Sequence, residues 1–107
     1  MPRFISNYTI LANGQLLINH ITTIDDDGTL ISIEPFDREL GNTIYVPQPI
    51  CITNCFNLHI IEETFINSAS RQQFELNLAT LNLSHPQPGD NVAVMRLDFA
   101  RNTLTQL

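Results

Sequence analysis

RFISNYTILANGQLLINHITTIDDDGTLISIEPF runs from Arg3 to Phe36, and its turns decide the fold. Arg3 to Leu11 is rich in β-branched and aromatic residues, and Asn13-Gly14 supplies the pair that tolerates positive φ in a tight hairpin turn. From Leu16 to Ile24 the chain alternates, with Ile18, His20, Thr22 and Ile24 on one side and Leu17, Asn19, Ile21 and Thr23 on the other. Asp25-Asp26-Asp27-Gly28 then makes a second turn, because Asp side chains bond their own backbone and Gly enters the left-handed region freely. In the third strand, 29–35, the Ile31 and Ile33 side is expected inward and Glu34 outward, with Pro35 closing the strand or marking an edge. Connections this short join neighbouring strands as antiparallel hairpins.

Outward from this stretch the signals weaken. Asp37-Arg38-Glu39-Leu40-Gly41-Asn42 reads as a polar loop. Residues 43–53 read as strand pieces interrupted by Pro47-Gln48-Pro49, a segment with two missing backbone donors. Between Phe56 and Ser84 the period is ambiguous, since Leu58, Ile61 and Phe65 fit a helical face whereas Ile60 and Ile66 do not. Ser70-x-x-Gln73 has the form of a capping box, with Phe74, Leu78 and Leu81 behind it at helical spacing, so one helix is expected over 70–83, a strand being the alternative because Phe74, Leu76 and Leu78 also alternate. His85-Pro86-Gln87-Pro88-Gly89-Asp90 ends that element. A last strand over 91–99 follows, its Val92-Ala93-Val94-Met95 run apolar on both sides and so covered on both faces. The expected class is mainly β, a small antiparallel sheet or sandwich with one short helix. The alternative is α+β with two helices, if 57–66 also coils.

At 107 residues the chain has the length of one domain, 1–107, with a single core. No apolar run approaches the roughly 20 residues of a membrane helix, and no signal-peptide pattern opens the chain, which places it in the cytoplasm. There the Asn-x-Ser/Thr triplets at Asn7 and Asn82 carry no meaning. The net charge is −6, and the five basic residues Arg3, Arg38, Arg71, Arg96 and Arg101 are dispersed, so a phosphate backbone is repelled and nucleic acid is not an expected partner.

Few residues offer chemistry. Cys51, Cys55 and His59 are spaced four apart and would share a stripe on a helix, but Ile50-Cys51-Ile52-Thr53 favours a strand, and a structural zinc site wants a full tetrahedral ligand set. Two buried, inert thiols and a surface or capped histidine are the reading that follows, with no disulfide in a reducing compartment. Asp25 to Gly28 resembles the start of a calcium loop, but the twelfth position, where such a loop needs glutamate, is Phe36. His59 with Glu62 and Glu63 forms no His-Glu-x-x-His pattern. No nucleophile elbow or Gly-rich phosphate cradle occurs. No catalytic, cofactor-binding or metal-ligating residue is assigned, and no cofactor is expected. The function expected is a non-catalytic scaffold or interaction domain; the alternative is a small metal-assisted hydrolase using His20, His59 or His85 with nearby carboxylates. Sheet edges with few residues to blunt them add a homodimer to the expectation.

The order of turns, Asn13-Gly14 and then Ile24-Asp25-Asp26-Asp27-Gly28-Thr29-Leu30-Ile31-Ser32-Ile33, resembles the small β domain that flanks the barrel of metal-dependent amidohydrolases. That family continues through a Pro-Gly-apolar-Ile segment into a His-x-His metal pair. Here the segment is Val46-Pro47-Gln48-Pro49-Ile50, and the two histidine positions hold Thr53 and Cys55. The family's returning strand is matched in spacing by Gly89 to Asp98, with Val92 and Ala93 where Ala and Asp are usual. The resemblance covers 4–50 and 88–99. It implies a β scaffold without chemistry, since the imidazoles are replaced and such a barrel needs about 250 residues.

Overall fold

The computed structural model describes residues 2–38 and 41–107; Glu39 and Leu40 of the expected polar loop lie outside the described residues. The chain forms β1 (Arg3–Leu11), β2 (Leu16–Ile24), β3 (Leu30–Pro35), β4 (Thr43–Tyr45), β5 (Ile50–Asn54), a 3-10 turn (Cys55–Asn57), α1 (Leu58–Ile66), α2 (Arg71–Ala79), β6 (Val92–Asp98) and β7 (Thr103–Gln106). The class is mainly β with two helices. All strands join one sheet in the order β3-β2-β1-β5-β6-β7, with β4 also on β1.

Both hairpins of the first stretch form as the turn residues dictate. Gly14 and Gly28 each take φ of 89°. In the second turn the Asp25 carboxylate accepts from the Asp27 and Thr29 amides at 3.0 and 3.1 Å. Asp27 accepts from the Thr29 hydroxyl at 2.8 Å. The hydrogen bond with Asp25, then that from Thr29, holds the Asp27 carboxyl below its ordinary value.

The sheet is mixed because β4 and β5 run parallel to β1 along one side of it, Thr43–Tyr45 against Arg3–Ile5 and Ile50–Ile52 against Thr9–Leu11. Pro47 and Pro49 cannot donate to the ladder in between, and the Ser6 hydroxyl bridges the gap by donating to the Gln48 carbonyl at 2.8 Å.

Local irregularities set which side chains are buried. The β1–β2 ladder skips from Ser6↔His20 to Tyr8↔Ile18, and Asn19 takes φ of 55°. Phe4 and Leu11, which strict alternation would put on opposite faces, therefore join the same core. In β3 Ile33 packs against the core and Glu34 is exposed, as expected, but Ile31 is not inward: Leu30 is 2% exposed and Ile31 is 40% exposed. The β2–β3 register shifts beside Ile24, and Ile31 is the extra residue between Ser32↔Thr23 and Leu30↔Ile24, so the bulge turns it out.

The sheet curls until the start of β3 meets the chain entering β6. Thr29 bridges Asn91, the Leu30 amide donates to the Asp90 carbonyl at 2.8 Å and the Gly89 amide to the Leu30 carbonyl at 2.9 Å. Inside the curl lie Phe4, Leu30, Ile50, Ile52, Val92 and Val94. The alternate residues Cys51, Ala93, Met95 and Leu97 face the other way and pack with Ile61 and Phe65 of α1 and Phe74 and Leu78 of α2. Covered on both faces, Val92–Met95 are buried throughout, as the double-sided apolar run predicts.

The Ser70 hydroxyl caps α2, accepting from the Gln73 amide at 3.2 Å, while Gln73 reaches back to the Ala69 amide. α2 stops at Ala79, short of the expected residue 83, and Asn82 turns left-handed with φ of 55°. No helix among the described residues is long and apolar enough to cross a membrane.

Candidate functional site

The three histidines offered for a hydrolytic centre stand on separate elements. His20 lies in β2, its Nδ1 2.9 Å from the Ile18 carbonyl oxygen. His59 is exposed on α1. His85 is in the loop before β6, its Nδ1 3.1 Å from the Pro86 carbonyl oxygen and Gln87 beside the ring. Among the described residues no group of His, Cys, Asp or Glu is arranged to hold a metal ion. The stripe of Cys51, Cys55 and His59 is dispersed by the secondary structure, which carries them into β5, a 3-10 turn and α1. Thr53, at the first histidine position of the family pair, is buried and donates to the Asn54 carbonyl at 3.1 Å; Cys55, at the second, is exposed.

Cys51 is buried as expected, but Cys55, also expected to be buried, is exposed because it opens the 3-10 turn after β5. Cys51 sits in the core under the helices, where burial pushes its thiol up to about 12. The thiolate is the reactive form, so at neutral pH a thiol reagent is expected to modify Cys55 quickly and Cys51 only on unfolding. Mass spectrometry after maleimide labelling should give one adduct per native chain and two in denaturant; two under native conditions would show that the core opens locally.

The concave features are formed by side chains that the layers leave uncovered. α1 and α2 pack on β1, β5 and β6, and Leu104 of β7 is only partly buried against them. A groove of about 400 Å³ is left between α1 and β6–β7, floored by Met95 and Leu104 and walled by Leu58, Phe65 and Ile66. Glu62 is the one charged side chain of its lining, and Ile66 is 79% exposed. Sequence reasoning missed this groove because Leu104 belongs to a strand it did not assign. The alternation Thr103-Leu104-Thr105-Gln106 was the available signal, and one apolar residue in four is a weak one.

A second cleft, also about 400 Å³, lies where Phe36 and Tyr45 face Ile5, Asn7 and Asn19. A smaller one, about 210 Å³, opens at the mouth of the curled sheet between Leu11, Leu17, Leu30 and Ile33 and the His85–Pro88 loop. No family model matches the chain, and no curated protein or solved structure matches it.

Proposed function

We propose that this protein is a non-catalytic scaffold or interaction domain, and that a second copy of the chain is its first partner. The carrying observation is the apolar groove between α1 and the β7 end of the sheet, with the largely exposed Ile66 on its wall. Contiguous apolar surface beside unpaired backbone is a feature of recognition surfaces. The resemblance to the amidohydrolase β domain fits this reading, since the elements that carry it, β1 to β4 and β6, all belong to the one sheet. The free thiols Cys51 and Cys55 suit a reducing compartment, and we place the protein in the cytoplasm. A charge of −6 sets it against nucleic acid.

The competing hydrolase is tested by metal analysis of protein purified without chelator. Zinc and iron are expected well below one per chain, and replacing His20, His59 and His85 together should not change that content. One equivalent of metal, lost in the triple variant, would replace the scaffold reading with the hydrolase.

A further inference from the structure

We infer that the outer edge of β7 is the self-association surface, pairing antiparallel with β7 of a second copy about a two-fold axis. This rests on the interaction-domain reading and names its partner surface.

Open strand edges are pairing templates unless charge, proline, a bulge or another element blunts them. β3 carries a bulge, Glu34 and Pro35, and its start is bonded to the chain before β6. β4 has three residues and runs into Pro47. Among the described residues β7 is bonded to β6 alone, and from Asn102 to Leu107 there is no charged side chain and no proline.

The phase of the β6–β7 ladder says which backbone groups are open. The Leu107 amide donates to the Val94 carbonyl at 2.9 Å, so Leu107, Thr105 and Thr103 spend their groups on β6. Bonding alternates along an antiparallel pair. The amides and carbonyls of Leu104 and Gln106 therefore face outward. Side chains of the same two residues, with Asn102, line the groove against α1.

A two-fold antiparallel pair matches even residues with even residues, either Leu104 with its own copy or Leu104 with Gln106 of the other chain. In both registers the open backbone groups meet, and the two grooves fuse into one trough floored by Met95 and Leu104 of each copy and walled by both α1 helices. Ile66 then gains an apolar neighbour layer. No like charges fall opposite one another, so the −6 on each chain opposes association only at a distance and through screening salt. One short strand with one trough is a small interface, which places the dimer in the micromolar range.

Sedimentation equilibrium of the full chain across micromolar concentrations should show the mass rising from 12.1 kDa toward twice that value. Gln106→Pro deletes an outward amide without removing a β6–β7 bond and counts twice in a symmetric dimer. It is expected to raise the dissociation constant about tenfold or more. Gln106→Lys, which charges the edge and leaves the backbone intact, should do the same and decides the matter if the proline variant loses its circular dichroism. A 12.1 kDa species at every concentration would overturn both the edge assignment and self-association. A dimer that both variants leave untouched would overturn the edge assignment alone.

Discussion

Replacing Phe74 with alanine is expected to cost about 3–5 kcal/mol of folding stability. Phe74 is fully buried at 0% exposure, and it meets Phe65 of α1 edge-on, with ring centroids 6.1 Å apart and planes at 79°. Phe99, after β6, lies 6.1 Å from it at 63° and 5.0 Å from Phe65, so one ring links α2, α1 and the sheet. Edge-to-face pairs of this kind add to what burial alone contributes. α2 buries only Phe74 and Leu78 among its nine residues, leaving it little else with which to hold the sheet after truncation. Against a total of about 5–15 kcal/mol for a domain of this size, the loss is a large fraction. Leu76→Ala, at a side chain 68% exposed on the same helix, should stay within about 0.5 kcal/mol. Urea denaturation followed by circular dichroism checks both, and equal midpoints for the two variants would contradict this account of how α2 is held.

What was legible in the chain was what depends on neighbours in sequence. Asn13-Gly14 and Asp25 to Gly28 specify their turns by their own backbone freedom and side-chain bonds, and Ser70 with Gln73 closes a helix start within one turn. The failures came where distant contacts override alternation. Nothing near Asn7 says that the strand will change face there, because the cause lies across the ladder at Asn19. Ile31 has the composition of a core residue, and only the register with Thr23 and Ile24 makes it a bulge. Ile50–Ile52 can be read as a strand but not as parallel to β1, since that follows from the crossing out of β3. The groove was hidden for the same reason: Ile66 and Leu104 are brought together by two elements whose packing neither segment encodes alone.

Gly14 illustrates the boundary between the two kinds of information, and its replacement by alanine is the second large effect expected. The sequence requires glycine there for the turn, and φ of 89° bears that out. A left-handed residue with a side chain costs roughly 1–2 kcal/mol. The structure adds a second requirement: a Cβ at Gly14 would stand 2.6 Å from the Glu75 carbonyl oxygen and 2.9 Å from the Ala79 nitrogen, both backbone atoms of α2. Neither can yield without moving the helix off the first hairpin, and overpacking of this kind costs about 1–3 kcal/mol more. Gly89 separates the two terms, because it has φ of 97° with nothing within 4 Å of its would-be Cβ. Gly89→Ala should therefore show the backbone cost alone, while the narrowing of the unfolded ensemble by alanine is common to both variants and cancels in the comparison. Gly14→Ala is expected to exceed Gly89→Ala by about 1–3 kcal/mol in thermal or urea unfolding. Equal losses would mean that α2 does not sit against the Asn13-Gly14 turn, and the helix layer over the first hairpin would have to be redrawn.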